Sequence, residues 1–232
     1  MPTTDLGSNW YEAVGDWGII DAELVENYAT GNSGTAGAKL ICTQPVPARS
    51  AGKRYMHIDI PVAHLVLNDV FMLYPCCPTS TTVGDVSVRY TFLGTGADDP
   101  PTSTTYWRVE ILGAGANGEP DTTVTFTSGF TYARLQLCVD HSITTINAGI
   151  SGSSGEASSW AINDCGEGKY AGIGHNNTGH LNIFDNFEMG ELRAPEGLCK
   201  PCFCHCDDEV PMPPILHATF RDAGNATHTR AS

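Results

Sequence analysis

A chain of 232 residues with a formal charge of −14 and only 12 Lys and Arg lacks the clustered cations that a phosphate backbone requires, so a nucleic-acid partner is excluded. No apolar run approaches the ~20 residues of a membrane-spanning helix, and Met1-Pro2-Thr3-Thr4-Asp5 shows neither the basic nor the apolar region of a secretory signal. Charged residues make up 16% of a sequence rich in Gly, Ser and Thr, which suits many short strands in one large sandwich, or one domain and a tail.

Residues 10–25 should hold the first strands, with Trp17, Ile19 and Leu24 turned inward. Residues 21–29 have the outline of a short helix, but strand signals and Gly-rich loops bracket them, so strand and turn are preferred. After a loop of small residues at 31–37, Ala38–Cys42 and 55–62 read as strands joined through Pro45 and Pro47. Residues 70–74 form a short buried strand ending at Pro75-Cys76-Cys77-Pro78. In residues 86–93, Val86, Val88, Tyr90 and Phe92 fall on one face, the clearest period-two pattern in the chain. A loop at 94–105 carries Asp98-Asp99-Pro100-Pro101; residues 106–112, 124–127 and 132–140 continue the strands, and 142–150 follow a tight corner. Residues 151–159 read as a Gly/Ser loop and 160–163 as a short apolar patch.

Residues 170–192 read Y-A-G-I-G-H-N-N-T-G-H-L-N-I-F-D-N-F-E-M-G-E-L. Asn176, Asn177 and Gly179 tolerate positive φ, so this is hairpin chemistry between a short apolar strand and a long one. In the long limb Leu181, Ile183, Asp185, Phe187 and Met189 alternate with Asn182, Phe184, Asn186 and Glu188. His175 and His180 flank the turn and are expected to face solvent.

The Ala171-Gly172-Ile173-Gly174 turn and the Phe184-Asp185-Asn186-Phe187 strand resemble the end of a concanavalin A-like lectin/glucanase jelly roll. Asp5-Leu6-Gly7-Ser8-Asn9-Trp10 and Gly15-Asp16-Trp17-Gly18-Ile19 resemble the L-G-x-x-W … G-x-W-x-I opening of laminin G-like modules, and Leu135-Gln136-Leu137-Cys138-Val139-Asp140 resembles the family's back-sheet strand. The resemblance implies an all-β fold: a two-sheet antiparallel jelly-roll sandwich over residues 1–192, followed by a Cys/Pro-rich linker at 193–214 and a strand-like tail at 215–232. These jelly rolls usually begin with a further strand before the L-G-x-x-W anchor, but only four residues precede Asp5. Residues 215–220, from the same chain or a neighbouring copy, are therefore expected to cover that edge beside the F-D-N-F strand.

Such modules occur in phage structural proteins and large bacterial secreted proteins. The resemblance thus implies a non-enzymatic structural or adhesion module on a virion or extracellular surface, such as a capsid decoration, fibre or tail component. Its partners would be copies of itself, other virion or surface proteins, and glycans; no membrane is involved. A stand-alone calcium-dependent carbohydrate-binding lectin is the alternative, and a degenerate glycoside hydrolase a weaker one. One fold hosts many functions, so residues must decide.

Retaining glycoside hydrolysis needs two carboxylates about 5 Å apart in one cleft. The family's hydrolases carry them as E-x-D-x-x-E on one strand, a motif that does not occur in this sequence. On a regular strand Asp185 and Glu188 point to opposite faces, and His57-Ile58-Asp59-Ile60 brings a single carboxylate, so catalysis is not expected. Tyr106 and Trp107 are candidates for stacking on sugar, although as strand neighbours only one of them can face outward. Calcium is the family's loop ligand, and Asp98, Asp99 and Asp121 are its candidate holders; Asp-Asp-Pro and Glu-Pro-Asp are also ordinary solvated turns, the preferred reading. Cys42 and Cys138, in apolar strands, read as core residues. The cluster Cys199, Cys202, Cys204 and Cys206 is either a zinc half-site, with Cys76 and Cys77 as a second pair, or a disulfide-stapled linker, which is preferred.

Overall fold

The computed structural model describes residues 6, 8–20, 23–26, 36–45, 53–95, 104–113, 117–119, 121–127, 132–140, 145–151, 153, 156–160, 170–180, 182–193, 210–211 and 216–217. Asp98, Asp99 and the cluster from Cys199 to Cys206 lie outside them.

Two antiparallel sheets pack face to face, the architecture that the resemblance implied. The first sheet has seven strands, in the order β1 (Trp10–Val14), β4 (Ala38–Cys42), β14 (Tyr170–His175), β6 (Val70–Cys77), β7 (Ser87–Thr95), β8 (Thr104–Leu112) and β10 (Asp121–Thr127). The second runs β2 (Trp17–Ile20), β3 (Glu23–Glu26), β15 (Asn182–Arg193), β5 (Lys53–Pro61), β11 (Tyr132–Asp140), β12 (Thr145–Ile150), β13 (Ala157–Trp160) and β9 (Asn117–Glu119). Two further short strands, β16 (Val210–Pro211) and β17 (Leu216–His217), pair with β15. Strand β13 forms where the Gly/Ser composition reads as loop: its residues 157–160 pair with 145–148 of β12, and Ala157 reaches the core.

Alternation decides what lies between the sheets. Val86, Val88, Tyr90 and Phe92 all enter the core from the first sheet, and Met56, Ile58, Ile60, Leu135, Leu137 and Val139 from the second. Aromatic rings close the middle: Trp17 lies 5.5 Å from Phe184, Phe71 lies 5.7 Å from Phe184, and Phe92 lies 5.2 Å from Trp107. Each such ring is worth roughly 1.5–3 kcal/mol in burial. Cys42 joins this core as expected, but Cys138 does not. Between inward Leu137 and Val139 it has the parity of Arg134 and Gln136, and it is only half-buried.

The limbs of residues 170–192 do not form a hairpin. β14 lies between β4 and β6 in the first sheet, while β15 lies between β3 and β5 in the second. The Asn-Asn-Thr-Gly turn is a corner from one sheet to the other. Its backbone follows the turn chemistry, with Gly179 at φ +90°, while its side chains hold the sheet ends together. Asn177 Oδ1 accepts the Val70 N–H, its side-chain amide Nδ2 donates to Asn182 Oδ1 at 2.8 Å, and the backbone Asn176 N–H donates to Val70 O at 3.1 Å.

This corner also overturns the expectation for the histidines. His175 shares the inward parity of Ala171 and Ile173, so its ring is fully buried against Trp17 and Phe184, and its Nδ1 accepts the Asn177 N–H at 3.1 Å. His180 is largely buried and pairs with Asp69 at 3.2 Å.

Strand β6 continues through Pro75 to Cys77, further than expected, because a register irregularity opposite β14 absorbs the proline. Cys76 is disulfide-bonded, so it is not available as a thiolate zinc ligand. Cys42, Cys77 and Cys138 are not in disulfides. Burial pushes Cys42 and Cys77 up to about 11. In the native protein at pH 8, iodoacetamide should therefore modify Cys138 and spare Cys42 and Cys77, which react only on denaturation. Peptide mass spectrometry before and after denaturant reads this directly, and equal native labelling of all three would contradict it.

The C-terminal tail covers an edge. β15 pairs with β3 only through residues 182–184; beyond that, Glu188 and Met189 pair with His217 and Leu216, and Leu192 and Arg193 with Pro211 and Val210. Deleting residues 210–232 should bare this stretch of backbone and raise light scattering at concentrations where the full chain stays clear. Unchanged scattering and melting would show that the ladder is dispensable.

Candidate functional site

The most ordered polar array among the described residues lies on the outer face of the second sheet, across β5, β11 and β15. A break in the alternation of β15 creates it. Asp185 is opposite Asp59, and Glu188 is opposite His57, so three steps along β15 match two along β5. The extra residue is Asn186, which takes φ 48°. This is a β-bulge, with Asn in the left-handed conformation it tolerates better than most residues.

The bulge resets the parity of everything beyond it. Phe184, Phe187 and Met189 all reach the core, although Phe184 and Phe187 stand an odd number of residues apart. Asp185 and Glu188 consequently emerge on one face, beside Asp59 and His57. Contrary to the expectation from strand parity, Asp185 and Glu188 are not on opposite faces, because parity holds only for an unbroken ladder.

The side chains on this face hold one another. Arg134 on β11 forks onto Asp59, with Nε to Oδ1 at 2.8 Å and Nη2 to Oδ2 at 2.9 Å, the bidentate geometry that a guanidinium favours. Asn186 donates its amide to Asp59 Oδ2 at 3.0 Å and its backbone N–H to Asp185 Oδ1 at 2.8 Å. The Tyr55 hydroxyl donates to Glu188 Oε1 at 2.6 Å, and His57 Nε2 stands 3.7 Å from Glu188 Oε2. The Tyr55 and His57 rings stack at 6.4 Å with 18° between their planes. Tyr55 can lie this low because residue 190 is glycine: a Cβ there would come within 2.7 Å of the ring. From the opposite sheet the Tyr90 hydroxyl donates to Gln136 O at 2.6 Å, tying β11 to the core.

Electrostatics follow from the packing. Asp59 is 4% exposed, and the fork from Arg134 is its ionic partner. The hydrogen bond from Arg134 to Asp59, outweighing its partial burial, and the charges of Asp59, Glu188 and Asp185 hold the guanidinium more firmly protonated than usual. Burial, then the hydrogen bond to Glu188 and its negative charge, drives the Tyr55 phenol far above its ordinary range, so it remains a donor at any physiological pH. Three carboxylates face one guanidinium, which makes the surface net acidic. It offers acceptors and a few fixed donors to a hydroxyl-rich or cationic ligand, and it repels an anionic one.

The residues singled out from sequence lie elsewhere. Tyr106 and Trp107 sit on β8 of the first sheet, away from this face. Tyr106 is 38% exposed, but Trp107 is 0% exposed, with its indole N–H on Thr105 Oγ1 at 3.0 Å. Trp107 is a core residue and cannot stack on sugar. Asp121 opens strand β10 opposite Glu110 rather than sitting in a loop. Among the described residues no three His, Cys, Asp or Glu side chains converge as a metal site.

Tyr55, Arg134 and Asn186 went unnoticed in the sequence, yet the text held a signal. In I-F-D-N-F-E-M the apolar phase slips between Phe184 and Phe187, and a slip over an Asn is how a bulge reads.

No protein-family model matches this chain, and no curated protein sequence does. Solved structures resemble it distantly. One is an engineered GH43 glycoside hydrolase described as displaying endo-xylanase and exo-arabinofuranosidase activity, 11% identical at TM-score 0.44, with 73% of this chain matched to 34% of that one. Another is the carbohydrate-binding module CBM66 from Bacillus subtilis, 7% identical at TM-score 0.38, over 75% of this chain and 91% of that one. A third is lectin I from Ulex europaeus, in complex with a methyl glycoside of α-L-fucose, 13% identical at TM-score 0.42, over 78% and 90%. None of these likenesses carries a functional argument.

Proposed function

We propose that this protein is a glycan-binding module of an extracellular or virion surface, and that it engages sugar across the outer face of β5, β11 and β15. One observation supports this above others: the bulge at Asn186 presents Asp185 and Glu188 beside Asp59, His57 and Arg134 in an array already ordered by its own hydrogen bonds. Groups fixed before the ligand arrives lose little entropy on binding, and sugar hydroxyls pair well with carboxylates. The net acidity of the face favours neutral or amino sugars over uronates and sulfated chains.

A glycan screen followed by calorimetry tests this reading. Asp185→Asn and Glu188→Gln keep shape and remove charge, so each should weaken a neutral oligosaccharide at least tenfold, given about 1.5–3 kcal/mol for a hydrogen bond to a charged group. Equal affinity in both variants, or no binding to any neutral glycan, refutes it. A structural role, through assembly with copies of itself, accompanies this reading; native mass spectrometry of the full chain tests it, a monomer at all concentrations counting against.

Hydrolysis is the second reading, favoured by the shared face of Asp185 and Glu188. Reducing-end release from β-glucans that disappears in both variants would establish it, and its absence across polysaccharides would leave binding alone.

A further inference from the structure

Given the sugar reading of this face, on which the following rests, we infer that its ligand is an internal stretch of a linear, uncharged chain of equatorially linked pyranoses. The chain lies across the strands from β15 to β13. A row of five cross-strand partners supports it: Gly190 pairs with Tyr55, Tyr55 with Cys138, Cys138 with Asn147, and Asn147 with Ser158. Directly opposed residues share a face, and inward Met56, Leu137, Ile146, Ala157 and Met189 place this row on the outside. Four strand spacings of about 4.8 Å make the row roughly 19 Å long, the length of about four linked pyranose rings.

The row is low where a chain passes and polar where it is held. Gly190, Cys138 and Ser158 have small side chains or none. Tyr55 leans across its partner Gly190, where a Cβ would come within 2.7 Å of the ring, and its hydroxyl is fixed on Glu188 at 2.6 Å. The ring therefore lies against the sheet, partly exposed, and offers a face to the C–H side of a pyranose. A side chain fixed beforehand loses little entropy when the sugar arrives. At the far end the Ser158 hydroxyl donates to Asn147 Oδ1 at 2.7 Å, so what Asn147 brings to a ligand is a donor. At the near end Asp185 and Glu188 bring acceptors and repel uronate chains. A ligand that reaches both ends has to cross β5 and β11, which a single sugar cannot do. Equatorial linkage keeps successive rings in one extended ribbon that fits a sheet surface, whereas axial linkage coils the chain away from it.

The test is calorimetry of the full chain with cello-, xylo- and manno-oligosaccharides from disaccharide to hexasaccharide. In a series that binds, affinity should climb to the tetrasaccharide and level off. Asn147→Ala should weaken the tetrasaccharide about fivefold, the worth of one neutral hydrogen bond, and leave the disaccharide, seated on Tyr55, unchanged. Tyr55→Leu should weaken every length about tenfold, and Tyr55→Phe, which keeps the ring, by less. Circular dichroism and melting show whether the variants are folded, and the unmutated chain supplies a second measurement. Bound hexasaccharide should slow the alkylation of Cys138 by iodoacetamide, read by peptide mass spectrometry, because the sugar chain passes over it. A hexasaccharide that binds without slowing Cys138 runs elsewhere and overturns the inference. Equal affinity for disaccharide and hexasaccharide, lost in Glu188→Gln but indifferent to Asn147→Ala, overturns it too and leaves a site for a single sugar. Binding of other glycans but none of these series refutes the linear chain alone. No binding to any glycan removes the sugar reading and the linear chain together.

Discussion

Deleting Glu188 should strip part of the core, whereas deleting Asn186 should leave it whole. Asn186 is the residue that finds no place in the ladder, so without it Phe184, Asp185, Phe187, Glu188 and Met189 alternate strictly against β5, and Phe187 and Met189 stay inward. The loss is the amide bond to Asp59, about 1 kcal/mol. Without Glu188, Phe187 and Met189 become neighbours, and a strand cannot turn both inward. Both are fully buried, and stripping such a residue from a core costs about 2–5 kcal/mol. That is a large part of the ~5–15 kcal/mol by which a domain is ordinarily stable. Circular dichroism with thermal melting separates the two variants. The bulge assignment is falsified if the Asn186 deletion melts as low as the Glu188 deletion.

Arg134→Met should be the most damaging conservative change on the polar face. Methionine keeps the stem of the side chain but removes the fork, leaving Asp59, 4% exposed, with only the Asn186 amide against its charge. Removing one partner of a buried pair costs about 3–5 kcal/mol. Because the Arg134 side chain is 44% exposed, water screens part of the interaction, and a loss of about 3 kcal/mol or less is expected. At roughly 2–4 °C per kcal/mol for a chain of this size, the melting temperature should fall by at most about 6–12 °C. Asp59→Asn in the same chain should recover much of that loss, because the penalty is mainly the stranded carboxylate. A double variant as unstable as the sum of the singles would mean that Arg134 acts through packing alone.

How much of this was legible beforehand depends on whether a feature is written in local order. The strand at Val86, Val88, Tyr90 and Phe92 was, because period-two alternation is a property of one segment and needs no partner. So was the inward turn of Trp17 and Leu24. The Asn-Asn-Thr-Gly turn was legible as a turn, since positive φ is a local preference. Its destination was not: a hairpin and a corner between sheets use the same residues, and the choice rests on whether β14 and β15 find better neighbours elsewhere.

The polar face was the least legible, because it is assembled from segments distant in the chain. Tyr55 meets Glu188 across 133 residues and Arg134 meets Asp59 across 75. By itself the sequence determined the composition of a β-sandwich, the inward set of most strands, and an acidic surface closed to polyanions. Tertiary structure alone decided that Asn186 would be bulged out, since only the register against β5 counts three residues against two. Bulging that residue out leaves two paired steps between Asp185 and Glu188, and a strand's side chains return to the same face at every second step.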